Sequence, residues 1–157
     1  MNKLKIYLDT SIISHLQAED VPEKEAVTLK FWEELKENKY YVIISKLVLD
    51  EISLCHEPKL TMLYKYLSAI VFEEIKIDEI IEELGQKYVE EKIIPEKYKD
   101  DALHIAAATI AGCDVVLSWN FKHMVKYNTI IGVNGINKYK GYRELEILTP
   151  YSFVEEE

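Results

Sequence analysis

The fold class expected from this sequence is α/β: a three-layer α/β/α sandwich around a mostly parallel central sheet. Short apolar runs of strand length recur along the chain, several of them ending in a polar residue. Amphipathic stretches with helical spacing separate them, and strands that alternate with helices pair in parallel with helices on both faces. No internal repeat or linker divides the 157 residues. Residues 1–154 are therefore expected to form one domain, and the closing "EEE", 155–157, a disordered acidic tail.

"KLKIYLD" alternates and ends at Asp9, the pattern of a short strand with a polar C-terminal end. "TSIISHLQ" predicts a helix starting at that tip, with Thr10 or Ser11 as its cap. In "PEKEAVTLKFWEELKEN", Pro22 opens a longer helix, and Ala26, Leu29, Trp32 and Leu35 recur along one side. "YYVIIS" reads as a buried strand, followed by "KLVLDEISLC", a helix whose apolar side holds Leu47, Val48, Ile52 and Cys55. "PKLTMLYKYLSAI" is a further helix, "VFEEIKI" a third strand, and "DEIIEELGQKYVEEK" a helix ended before Pro95. The next helix spans 101–111, with Asp100 as its plain cap and Gly112 just past its end. "DVVLS" is a strand, "NFKHMVKY" a short helix, and the segment with Gly132, Gly135 and Gly141 a Gly- and Asn-rich loop. "LEILTP" gives the last strand, stopped by Pro150.

With 48% apolar and 30% charged residues, the composition is globular rather than disordered. No apolar run approaches the roughly 18 residues of a membrane span, and "MNKLKIYLDTS" lacks a signal-peptide pattern. Cys55 and Cys113, far apart and outside CxxC spacing, read as reduced thiols, which suits a cytoplasmic protein.

A net charge of −9 opposes binding to nucleic acid by overall attraction. The charge is uneven, however. Residues 119–143 contain Lys122, Lys126, Lys138, Lys140 and Arg143 and no acid, so this window is +5 and the remainder −14. Trp119, Phe121, Tyr127, Tyr139 and Tyr142 are interleaved with those cations. Cations that meet phosphates beside rings that stack on bases suit single-stranded RNA. Taken alone, the same window reads first as a solvated loop with ordinary lysines or a face for an acidic protein.

Parallel α/β sheets bind ligands outside the carboxyl ends of their strands, near the reversal of strand order. Polar residues at strand ends are therefore the candidates. Asp9 either caps the helix over 10–17 or serves a site. Glu51 falls on the apolar stripe 47, 48, 51, 52, 55, where a carboxylate needs a partner. Asp101 opens an alanine-rich helix that can press close to the sheet, and Ser118 and Asn120 follow the last long strand. Carboxylates that converge without Lys or Arg repel one another, and a divalent cation relieves that repulsion. Oxygen-only donors suit Mg²⁺ or Mn²⁺, and such a metal suits phosphodiester hydrolysis.

Taken in order, "YLDTS", "ISKLVLDEIS", "DDALHIAAA", "VVLSWNFKHM" and "LEILTP" resemble the PIN-domain family. The likeness is in particular to the VapC-like toxin ribonucleases of prokaryotic toxin–antitoxin pairs, and it runs from about residue 4 to residue 150. It places the family's acids on Asp9, Glu51 and Asp101, as catalytic residues and metal ligands, and the fourth acidic position on Asn120. Ser118 matches the family's Ser or Thr, and Thr10 and Ser11 are auxiliary positions, with Ser11 standing where Asn is common. Members with Asn at the fourth place often carry an Asp three residues on, which here is His123. The amide brings no charge, so weaker metal affinity or a contribution from Asp114 follows from the likeness.

The resemblance also implies a Rossmann-like fold, Mg²⁺- or Mn²⁺-dependent RNA cleavage, a homodimer and an antitoxin that blocks the site. Lys122, Lys126, Lys138, Lys140 and Arg143 would then grip RNA beside the acids. The alternative is a PIN-like module that binds RNA or protein without cutting, for which Asn120 and the acidic surface speak. Other chemistries lack their signatures. No Cys or His pair has structural-zinc spacing. GxSxG, GxxxxGK[ST] and GxGxxG are absent. The second Asp that a haloacid-dehalogenase-type site wants two residues after Asp9 is replaced by Ser11.

Overall fold

In the computed structural model, which describes residues 3–155, five strands form one parallel sheet. They are β1 (Lys5–Leu8), β2 (Tyr41–Ser45), β3 (Glu73–Ile75), β4 (Val115–Leu117) and β5 (Glu146–Leu148), in the order β3-β2-β1-β4-β5. Tyr7 is in register with Ile43 on one side and Val116 on the other. Ile6, Tyr7 and Leu8 are fully buried, as expected of a central strand covered on both faces.

Helices α1 (Thr10–Ser14), α2 (Pro22–Lys36), α3 (Lys46–Ile52) and α4 (Lys59–Ser68) carry the chain from β1 to β2 and on to β3. Helices α5 (Glu79–Glu90) and α6 (Lys99–Ile110) return it to β4, and α7 (Tyr127–Tyr139) leads to β5. The first connections step across the sheet in one direction and the later ones in the other. Right-handed crossovers then put α1–α4 on one face and α5–α7 on the opposite face. The packing agrees: α1 lies on α3, while α5 lies along α6 and touches α7. Strand order reverses between β1 and β4, the crevice in which such folds place ligands. Ala102, Ala106, Ala107 and Ala108 are fully buried, and their small side chains let α6 lie against β2 and β4.

The expected three-layer architecture is therefore the observed one, with local corrections. Asp9, not Thr10 or Ser11, caps α1, because its carboxylate accepts from the Ile12 amide. Helix α6 starts at Lys99 after Tyr98, so Asp100 is an exposed first-turn residue rather than the cap. On α2 the buried side is Thr28, Phe31, Trp32 and Leu35, whereas Ala26 is exposed. The short helix expected over "NFKHMVKY" is a series of turns, fixed where Asn120 Oδ1 accepts from the His123 amide. Of the expected acidic tail, residues 156 and 157 lie outside the described region. No helix among the described residues is long and apolar enough to cross a membrane.

The largest correction is α7, which replaces the expected Gly- and Asn-rich loop. Its buried residues, Thr129, Val133 and Asn137, recur every four positions. Asn137 Oδ1 accepts from the Tyr88 hydroxyl at 2.5 Å, and its Nδ2 donates to Thr109 Oγ1 at 3.1 Å, tying α7 to α5 and α6. At Gly132 a Cβ would come within 2.7 Å of Ile93 Cγ1, so that glycine is needed for close packing rather than for a turn. At Gly135 a Cβ would meet nothing within 4 Å. Gly132→Ala should therefore destabilise by about 1–3 kcal/mol through overpacking. Gly135→Ala should stabilise by up to about 1 kcal/mol through helix propensity. Urea unfolding of both variants measures the contrast, and equal effects would be incompatible with this helix.

Candidate active site

β1 delivers Asp9 to the crevice beside β4, 3% exposed. Its Oδ1 accepts from Ser11 Oγ at 2.6 Å and from the Ile12 amide at 3.3 Å, and its Oδ2 accepts from Ser118 Oγ at 2.5 Å. Both serines also accept from the chain leaving β4: Ser11 Oγ from the Trp119 amide at 2.8 Å, Ser118 Oγ from the Asn120 amide at 2.9 Å. The two hydroxyls thus lock the ends of β1 and β4 together around one carboxylate.

Glu51 comes from the second turn of α3, itself capped by Ser45, whose hydroxyl accepts from the Val48 amide. Its Oε1 accepts from Thr10 Oγ1 at 2.9 Å and from His104 Nε2 at 2.7 Å. His104 Nδ1 is 2.7 Å from the Tyr7 hydroxyl, which is 2.7 Å from Ser45 Oγ. With neutral His104, a proton chain runs from Ser45 to Tyr7 to Nδ1, leaving Nε2–H for Glu51. With imidazolium, Nδ1–H donates to the Tyr7 hydroxyl, which in turn donates to Ser45 Oγ.

Asp101 sits in the first turn of α6, and its Oδ2 accepts from Asn120 Nδ2 at 3.1 Å. Since Asn120 Oδ1 is taken by the His123 amide at 3.0 Å, the amide presents nitrogen, not oxygen, to Asp101. It acts here as a donor that steadies the acid. Asp114, considered above as a supplement, lies at the amino ends of the strands, away from the site, where it accepts from the Lys5 amide and from Arg143 Nη2.

Burial pushes the Asp9 carboxyl above the usual range, against the downward pull of His104, Ser11, Ser118 and the Ile12 amide. Burial raises Asp101 as well, and the Asp9 charge adds to it, while Asn120 and the two histidines nearby oppose. For Glu51, burial acts upward but the bond and charge of His104, with Thr10, outweigh it, so its carboxyl is held low. For His104, burial acts downward, yet Glu51, Asp9 and Asp101 together hold its imidazolium above the ordinary range. His104, 3% exposed, is thus bonded to Glu51 and feels the charges of Asp9 and Asp101 as well.

The residues expected at the site divide into two groups. Asp9, Ser11, Ser118, Asn120 and Asp101 form one hydrogen-bonded group, and Thr10 and Glu51 form a second one with His104. Lys122 and Lys126 follow β4 on the same edge of the sheet. Lys138 and Lys140 stand at the far end of α7, and Arg143 pairs with Asp114 and the Gly112 carbonyl, so these three are toward the amino ends of the strands. The residues sequence reasoning missed are His104, Tyr7 and Ser45. The Asp101–His104 spacing of three along a helix was the available signal.

The donor chemistry fits a hard divalent cation. The carboxylates repel one another, none is bonded to Lys or Arg, and Glu51 Oε2 and Asp101 Oδ1 have no protein partner among the described residues. Among those residues, no three His, Cys, Asp or Glu side chains are drawn together as a ready-made cage.

No protein-family model matches this chain, and no curated protein matches it in sequence. Its fold is shared with solved structures. It superposes on VapBC2 from Rickettsia felis, solved bound to a DNA fragment from their promoter, with a TM-score of 0.55 and 18% identity over 93% of this chain and 98% of that one. It superposes on VapC20 from Mycobacterium tuberculosis, a sarcin–ricin loop cleaving toxin, with a TM-score of 0.54 and 15% identity over 88% and 97%. The sequence resemblance to VapC-like proteins thus holds at the level of the fold.

These charges set a pH dependence for the metal-free protein. His104 gains a partner on folding, so its contribution is complete below the ordinary histidine value and is lost as pH rises through its raised folded value. Asp9 and Asp101, raised by burial, each cost stability as pH climbs from the ordinary carboxylate range through their folded values. Glu51 acts oppositely, but only at acid pH below its ordinary value. Melting temperature in EDTA should therefore fall from mildly acidic to mildly alkaline pH. His104→Gln should lower stability by about 1–3 kcal/mol at the acidic end and flatten the curve. A parallel curve for that variant would exclude His104 as the source.

Proposed function

We propose that this protein is a divalent-metal-dependent endoribonuclease, the toxin of a toxin–antitoxin pair. One observation carries the reading: Asp9, Glu51 and Asp101, from three separate elements, converge at the strand-order reversal without a Lys or Arg to neutralise them. Asp9, Glu51 and Asp101 would hold Mg²⁺ or Mn²⁺. Bound there, the ion would stabilise charge developing at phosphorus and lower the pKa of an attacking water. The chain's own residues prepare that arrangement. Ser11 and Ser118 fix Asp9, His104 and Thr10 fix Glu51, and Asn120 fixes Asp101, so each acid keeps its rotamer when the cation is absent. Lys122 and Lys126, in the segment that leaves β4 after Asn120, would meet RNA phosphates.

The likeness to VapBC2 and VapC20 supports the same reading, with a cognate antitoxin and a homodimer as expected assemblies and the cytoplasm as the place of action. A second reading, an RNA- or protein-binding module without cleavage, is favoured by Asn120 alone, which donates to Asp101 where a further acid would add charge.

Cleavage of a mixed structured and single-stranded RNA pool, with Mn²⁺, Mg²⁺ or EDTA, distinguishes the two. Metal-dependent cutting is expected, with Asp9→Asn and Asp101→Asn each reducing it about a hundredfold or more, the scale of losing one preorganised electrostatic group. RNA binding with no cutting under either metal would favour the module. Separately, Lys122→Ala and Lys126→Ala should each lower the slope of log affinity against log salt by about 0.7, the single-strand value per phosphate contact. Lys138→Ala and Lys140→Ala should leave it unchanged, as fluorescence anisotropy over a salt series would record.

A further inference from the structure

Phe121 directly follows Asn120, the residue bonded to Asp101, and is 47% exposed. Its neighbour Trp119 is buried, with its indole N–H donated to Thr28 Oγ1 at 2.9 Å, so the two aromatics of "WNF" have different tasks. Trp119 anchors the segment to α2. Phe121 packs at a tilt against it, ring centroids 6.4 Å apart, and presents its remaining surface outward. From the first turn of α2, Lys24 reaches over both rings, its Nζ 5.8 Å from the Trp119 centroid and 5.2 Å from that of Phe121. Lys24 has no carboxylate partner among the described residues. This contrasts with Lys36, Lys39, Lys46 and Lys87, each of which lies against an acid. A cation held by ring faces keeps its charge available to a phosphate, and a half-exposed ring beside it offers a π-face to a base.

We propose that Phe121 and Lys24 form a subsite for one unpaired nucleobase and its adjoining phosphate, at the mouth of the carboxylate cluster. The proposal rests on the ribonuclease reading and makes the substrate single-stranded at that nucleotide. A base within a helix has both faces stacked and cannot lie on Phe121, whereas a base in a loop or bulge can. Stacking on a ring is tolerant of base identity, so the subsite selects an unpaired conformation rather than a sequence. The sequence window of +5 omitted Lys24, because α2 brings that residue to the rim from about a hundred positions away.

The test uses short single-stranded oligoribonucleotides carrying 2-aminopurine at successive positions, bound to the full chain in an Asp101→Asn background and, independently, to the unmodified protein in EDTA. Quenching at one position is expected. Phe121→Leu should abolish it and weaken binding about tenfold, Phe121→Trp should restore both, and Lys24→Gln should flatten the salt dependence while the quenching persists. Blunt duplex RNA should show none of these effects. If the unmodified protein cleaves RNA with metal while Phe121→Leu leaves quenching and affinity unchanged, the subsite is overturned and the nuclease stands. If the unmodified protein neither binds nor cleaves RNA, both fall together. Equal melting temperatures of the Phe121 and Lys24 variants, each on the rim, establish that the comparison is between folded proteins.

Discussion

Asp9 brings a carboxylate into the interior where β1 and β4 part, and a charge so buried is tolerable only if its lone pairs are met. Two serine hydroxyls and one backbone amide meet them, and the same hydroxyls accept from the chain leaving β4. The acid therefore does three things at once. It caps α1, closes the crevice between two central strands, and fixes the origin from which the other acids are positioned. Removing either hydroxyl would loosen a strand junction as well as a side chain.

His104 supplies what the acids lack. Three carboxylates around one crevice raise the free energy of each other's ionised forms, and burial raises it further. The His104 ring is held by Glu51 on one nitrogen and Tyr7 on the other, and when protonated it offsets part of that repulsion. The compensation is incomplete, since Asp9 and Asp101 remain raised while only Glu51 is lowered. A divalent cation would find two carboxylates still in excess of charge and one already settled. Asn120 fits this balance: a fourth acid would need further compensation, whereas its amide donates to Asp101 at no cost in charge.

Much of this was legible in the sequence, for physical reasons. Short apolar runs ending in Asp9, Ser45 and Ser118 announce strands whose carboxyl ends share one edge, and the strand-end rule then selects Asp9 and Asp101. Glu51 is legible because a carboxylate on an apolar helix stripe must have a partner, although the partner is a histidine rather than a lysine. The partner itself was hidden, since a histidine among alanines reads as core and His104 is indeed in the core. Helix α7 was hidden for a different reason. Its glycines and asparagines are poor helix formers, and what holds them helical is tertiary: Ile93 filling the space beside Gly132, and Tyr88 with Thr109 on the amide of Asn137.

That helix also explains why counting charges along the chain misplaces them in space. A window of 25 residues reads as one basic patch, but α7 runs from the carboxyl ends of the strands toward the amino ends and carries Lys138 and Lys140 away with it. Pairing is a better guide than proximity in sequence. Lysines elsewhere lie against Glu33, Glu37, Asp50 and Glu91, and contribute little net field. Around the crevice, Lys24 and Lys122 lie instead over the rings of Phe121 and Tyr98. On a chain of net charge −9, attraction for a polyanion is necessarily local. Cations seated on aromatic faces would provide it at the rim while the acids keep the centre negative. A strand of RNA would then be drawn to the edge by its phosphates, and a cation bound among the acids would be needed to bring one phosphate inward.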